Sequence, residues 1–289
     1  MSPKISGFTL VRDAIRLDFP IVPAIRSLLP LVDEMVVNLG RSDDGTEALV
    51  RSIDDPKLRI LETEWDLNRG ASLLREETDR AMAACRHPWG VYIQADEVLH
   101  EAGIEPIRRA IAELDRRSEV EGLVVRYRHI FASPEVEAVN RRWYRREVRV
   151  VRTDQSSGIH SFRDAQGFRV GARDRRVRAR LVDAEIFHYG YLRSARAMRG
   201  RVTVDRALYD RAASPAGDPA LLRWFPGLRP FRGRHPEVAA AWVAEHAEDP
   251  ERRVTAPRFE LEHLRFYASD LIERITGARL FEYRNYELV

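Results

Sequence analysis

The sequence predicts an α/β fold, a mostly parallel sheet flanked by helices, followed by a helical C-terminal extension. Two observations carry that reading. Between Ile5 and Ile93, short apolar runs alternate with segments of helical periodicity, in units of about 30 residues, which is the rhythm of βαβ crossovers. The runs are near-continuously apolar, as in Met35-Val36-Val37 and Val91-Tyr92-Ile93, the pattern of strands covered on both faces. The 289 residues are 44% hydrophobic and 32% charged, enough apolar material for a core. That length suits one large α/β domain, residues 1–190, with an appended lobe, residues 191–289.

The first strand runs from Ile5 to Val11 and gives way to Arg12-Asp13 at its carboxyl end. Ile21, Ile25, Leu28, Leu29 and Val32 then fall at near-helical spacing, with Pro23 suited to a first turn and Pro30 limiting the far end. Met35 to Leu39 forms a second strand. It enters Gly40-Arg41-Ser42-Asp43-Asp44-Gly45-Thr46, a loop of turn formers in which Asp44 or Thr46 caps a helix from Glu47 to Ile53. A third strand, Leu58 to Leu61, ends at Glu62. Past Asn68-Arg69-Gly70, residues Leu74, Thr78, Ala81, Met82 and Cys85 share one helical face until Pro88 stops it. The strand Val91 to Ile93 follows, then a helix from Ile104 to Leu114 and a strand from Gly122 to Tyr127. Beyond Phe131, strand-like pieces at Glu147 to Arg152, Phe168 to Val170 and Ala184 to Tyr189 are separated by arginine-rich turns. From Arg193 onward helices dominate, clearest at Glu237 to His246 and Leu261 to Ile275, with a final short strand near Leu280 to Tyr283.

A net charge of only +3 argues against a general polyanion binder. The arginines concentrated between Arg141 and Arg180 suit phosphate groups, though a run of charge also serves simply to face water. Cys85 is the single cysteine, so no intrachain disulfide forms and nothing points to an oxidising compartment. No stretch approaches the ~20 apolar residues of a spanning helix, and no apolar signal region follows Met1. A cytoplasmic location is expected, with peripheral membrane contact left open.

The chain is organised around Trp89-Gly90-Val91-Tyr92-Ile93-Gln94-Ala95-Asp96-Glu97, a buried strand that stops at adjacent carboxylates. In an open α/β sheet, ligands bind beyond the carboxyl ends of the strands, and hard divalent cations take such oxygen ligands. On their own the two acids fit a solvated strand end equally well. Three further motifs occur in order: a strand, Ser42-Asp43-Asp44-Gly45-Thr46, and Asn68-Arg69-Gly70-Ala71 entering a helix. Together with Gln94-Ala95-Asp96-Glu97, this order resembles family 2 glycosyltransferases of the GT-A, Rossmann-type fold, over roughly residues 4 to 190.

The resemblance implies a nucleotide-diphospho-sugar donor, with Asp43 and Asp44 near the nucleoside and the strand-ending acids holding Mg²⁺ or Mn²⁺ on the diphosphate. Two departures stand out. Leu39 and Gly40 replace the acids that commonly contact the base, and Gln94 replaces the first acid of the Asp-x-Asp motif. Aligned so, Asp96 keeps the metal position, Gln94 reaches the ribose or diphosphate, and His188 in Phe187-His188-Tyr189-Gly190 looks like the histidine that completes the site.

The residue types agree with such a transfer to a carbohydrate or other hydroxyl acceptor. A leaving nucleoside diphosphate develops negative charge, for which Arg12 and Arg69 at strand ends are the candidate clamps. An inverting transfer needs a carboxylate base; Asp164, in a glycine-containing loop between the Asp96 strand and His188, is the candidate, with Glu147 and Glu185 as runners-up. Two other readings compete: a catalytically silent module that lost the metal site through Gln94, and a nucleotidyltransferase, against which the lack of a glycine-rich, lysine-bearing first loop counts. Trp143 and Tyr144 interleave with arginines as in single-strand binders, but no nucleic-acid motif is present.

Overall fold

The computed structural model describes residues 3–70, 72–201, 218–277, 279 and 282–289. Strand β1 (Ile5–Val11), buried along its whole length, pairs in parallel with β2 (Glu34–Gly40), which in turn carries β3 (Leu58–Thr63). On its other side β1 pairs in parallel with β4 (Trp89–Tyr92). Helix α1 (Ile21–Leu28) joins β1 to β2, α2 (Thr46–Arg51) joins β2 to β3, and α3 (Ser72–Ala83) joins β3 to β4. These are the crossovers that the sequence predicts.

The second half of the sheet is mixed. Strand β6 (Gly122–Phe131) lies parallel to the 17-residue β11 (Arg175–Tyr191), but β8 (Arg146–Arg152) inserts antiparallel between β4 and β6. The change has a simple cause. A parallel return needs a crossover of a dozen or more residues, usually a helix; α4 (Ile104–Leu114) supplies one before β6, whereas the chain from Phe131 to Arg146 holds only the strand β7 (Ser133–Ala138). Strands β9 (Ile159–Phe162) and β10 (Gly167–Val170) form a hairpin added antiparallel to β11. The resulting order is β3-β2-β1-β4-β8-β6-β11-β10-β9.

Each face of the sheet has its own core. Ile21, Ile25 and Leu28 of α1 and Ile107 and Ile111 of α4 pack on Ile5, Trp89, Val91 and Leu123 on one face. On the other, Phe8, Tyr92 and Phe168 stack together beneath Ala81 and Met82 of α3, with Cys85 half-buried at the edge.

Past Gly190 the described chain is less helical than expected. Residues 195–201 (α5) are helical, followed by β12 (Leu221–Leu222), β13 (Leu228–Pro230), α6 (Ala240–Glu245), β14 (Arg253–Val254) and α7 (Leu264–Thr276). Strands of two or three residues carry no readable periodicity. Leu280 and Phe281, half of the expected last strand, lie outside the described residues, as do 202–217; the described final strand is β15 (Tyr286–Leu288), which pairs with β11, while β13 pairs with β7.

Candidate active site

After β4 the chain turns at Gln94–Asp96 and re-enters the sheet as β5 (Glu97–Leu99), antiparallel to the end of β11. The register sets Glu97 opposite His188, and the Tyr189 amide donates to the Asp96 carbonyl at 2.8 Å. Asp96 and His188, distant in sequence, are thereby brought side by side, Oδ2 to Nε2 3.4 Å. Gly190 lies against both: a Cβ there would stand 2.7 Å from His188 Nε2 and 2.8 Å from Asp96 Oδ2. Burial pushes the Asp96 carboxyl up, but His188, Arg193 and Arg201 outweigh it and hold the group well below the usual carboxylate range. The pair opens on a cavity of about 730 Å³ that also presents Arg12, Gln94, Asp164 and Arg201, a size common for small-molecule sites. Trp143, Phe131, Tyr191 and Phe225 also line it; Phe131 stacks on Tyr191 and Trp143 on Phe225, and the two pairs meet edge to face.

The donor set fits a divalent cation. Bonds of about 2.1 Å at a right angle separate two ligand atoms by about 3.0 Å, close to the 3.4 Å between Oδ2 and Nε2. The carboxylate suits Mg²⁺ or Mn²⁺, and the imidazole beside it favours the transition metal of the two, with room for phosphate oxygens and water in the shell. Behind His188, His129 Nδ1 lies 3.3 Å from His188 Nδ1, and its Nε2 lies 2.7 Å from the Tyr144 carbonyl. Burial, then the neighbouring His188, hold His129 down to about 3.

Glu97, expected at the mouth of the site beside Asp96, is instead fully buried. Arg149 donates to its two oxygens at 2.9 and 3.2 Å, Tyr127 Oη at 2.8 Å and the Gln94 amide at 3.0 Å. The fully buried Arg149 guanidinium lies between the Tyr92 and Tyr127 rings and also donates to the Gln166 carbonyl at 2.7 Å. Gln94 Nε2 donates to the Ala165 carbonyl. The turn that carries Asp164 is thus tied from both sides to the turn that carries Asp96. Asp164 stands between Arg163 (φ +57°) and Ala165 (φ +64°), two non-glycine residues in the left-handed region, a conformation that persists where surrounding structure enforces it.

The Ser42–Thr46 loop supports the loop that follows β1. Ser42 Oγ accepts from the Asp13 amide, Thr46 Oγ1 from the Ala14 amide and an Asp44 oxygen from the Arg16 amide, at 2.7 to 2.9 Å. These bonds shape the Arg12–Asp18 loop, whose Arg12 and Asp13 reach the cavity. An Asp44 oxygen also accepts from the amide of Thr46, the first residue of α2, whose N-cap is Gly45. Asp43 is exposed and paired with Arg16, and Arg69, at the end of the short 3₁₀ turn Leu67–Arg69, is exposed and paired with Glu76 at 2.7 Å; neither lines the cavity. Of the alternative bases, Glu185 is engaged by Arg126 and Arg128. Glu147 is fully buried beside Arg149 and Asn285, and burial outweighs both and pushes its carboxyl up to about 7.

No family model matches the chain, and no curated protein does. Among solved structures, S. aureus TarS is 13% identical, over 69% of this chain and 39% of that one, with a TM-score of 0.41. The 1–349 form of TarS, solved with UDP-GlcNAc, is 15% identical over 59% of this chain and 51% of its own, TM-score 0.38. Mannosyl-3-phosphoglycerate synthase from Rubrobacter xylanophilus is 18% identical over 45% and 41%, TM-score 0.31. The chain therefore spans about two fifths to one half of those structures' length. No described helix is long and apolar enough to cross a membrane.

Sequence reading missed His129, Arg149, Arg201 and the aromatic lining of the cavity. Arg149 did leave a signal, a charge inside Val148-Arg149-Val150-Val151, since a buried charge must be paired. His129 leaves none, because its role depends on strand register.

Proposed function

We propose that this chain is a metal-dependent, inverting glycosyltransferase that moves a sugar from a nucleotide-diphospho-sugar to a hydroxyl acceptor. The observation that carries the reading is the approach of Asp96 to His188 at the carboxyl edge of the sheet, 3.4 Å apart and open to the cavity. Asp96 and His188 would hold Mg²⁺ or Mn²⁺, which stabilises the charge that develops on a leaving diphosphate. Arg12 and Arg201 face the same cavity and supply guanidinium donors to phosphate oxygens. Gln94 offers its amide oxygen to a ribose hydroxyl while its nitrogen holds the Ala165 carbonyl. Asp164 takes the acceptor proton, its carboxylate presented by the constrained β9–β10 turn. Trp143, Phe131, Tyr191 and Phe225 offer an acceptor aromatic ring surface within the same cavity.

A thermal-shift screen of nucleoside diphosphates, with and without Mn²⁺, tests this reading, because a ligand of the native state raises the melting temperature by mass action. A shift that needs both nucleotide and metal supports it. The absence of any shift with every nucleoside diphosphate contradicts it.

A further inference from the structure

We propose that His129 is a positioning residue that fixes the His188 ring, tautomer included, as a cation ligand. The inference rests on the reading of Asp96 and His188 as a metal-binding pair. On the paired strands β6 and β11, His129 stands in register with His188. It is 3% exposed, stacked on Tyr127 and met edge-on by Tyr144. Its Nε2 lies 2.7 Å from the Tyr144 carbonyl oxygen, an atom that only accepts, so the hydrogen of that bond sits on Nε2.

A neutral imidazole carries one N–H, so His129 Nδ1 holds a lone pair and can only accept. The atom facing it, at 3.3 Å, is His188 Nδ1, which must therefore be the donor. His188 then has its hydrogen at the buried nitrogen and directs Nε2 to Asp96 Oδ2 and the cavity. The choice of tautomer is made by the bond at the other nitrogen, and outer partners of this kind change metal affinity by about 10- to 100-fold when removed. The Tyr144 carbonyl, His129 and His188 form a chain of hydrogen bonds, and only the last ring offers a nitrogen to a ligand.

The test compares wild type with His129→Phe, which keeps a ring in the aromatic stack, and His129→Asn, which restores an acceptor near the Nδ1 position. Mn²⁺ alone is titrated and followed by electron paramagnetic resonance, with thermal melts confirming the fold. The inference expects His129→Phe to weaken Mn²⁺ binding by about 10- to 100-fold and His129→Asn to recover most of it. Equal affinity in wild type and His129→Phe, or equal weakness in two well-folded variants, overturns it. If wild type binds no Mn²⁺, the metal reading itself fails. Nitrogen-15 imidazole spectra then decide the His129 claim alone: His188 must carry its hydrogen at Nδ1 in wild type and shift it to Nε2 in His129→Phe. A wild-type His188 bare at Nδ1 overturns the inference.

Discussion

Replacing Arg149 with methionine probes the tie between the two turns of the site. The substitution keeps a long side chain between Tyr92 and Tyr127 but removes the donors at 2.9 and 3.2 Å from Glu97, leaving that fully buried carboxylate with Tyr127 Oη and the Gln94 amide. Breaking a buried pair from one side costs about 3–5 kcal/mol because it leaves an uncompensated buried charge, a cost that removing both charges avoids. Arg149→Met should therefore lower the melting temperature by roughly 5–8 °C for a chain of 289 residues. Arg149→Met/Glu97→Gln should recover most of that loss, a coupling that urea denaturation of the two singles and the double reads as a mutant cycle. Activity should stay low in the double, because the Gln166 carbonyl still lacks its donor. A single variant that loses less than about 1 kcal/mol, or a double no more stable than Arg149→Met, refutes the argument.

Two other outcomes are expected. Glu147 is raised from 4.5 to about 7 in the folded chain, so its neutral carboxyl contributes stability that is full below 4.5 and lost as pH rises through about 7, about 3 kcal/mol in all. Glu147→Gln should remove that part of the slope in urea titrations between about pH 5 and about pH 8; an unchanged slope places the titration elsewhere. Asp164→Asn should lower kcat by ~10² to 10⁴ with donor affinity nearly unchanged, and joint loss of donor binding and turnover makes Asp164 a donor-side residue instead.

The parallel half of the fold was legible because its strands are short apolar runs and its helices keep strict spacing, as with Ile21, Ile25 and Leu28 or Ile107 and Ile111. The mixed half was less so. Whether β8 returns parallel or antiparallel depends on what the intervening chain can span, and β11 is 17 residues long where only Ala184 to Tyr189 read as a strand. Within the site, Asp96 and His188 came from motif order, and the β5–β11 register explains their meeting. Asp43 and Arg69, which motif order also named, are ion-paired and stand outside the cavity lining. The strand-end pattern alone set Glu97 at the mouth of the site beside Asp96, since adjacent carboxylates look alike until one of them finds a buried arginine.

The measurement that bears most directly on the proposed chemistry is calorimetric titration of nucleoside diphosphates into wild type and Asp96→Ala, each with and without Mn²⁺. Binding should be tighter with the metal in wild type and no different in an Asp96→Ala variant that melts as a folded protein. Equal affinity with and without Mn²⁺ in wild type, or a metal effect that survives Asp96→Ala, contradicts it.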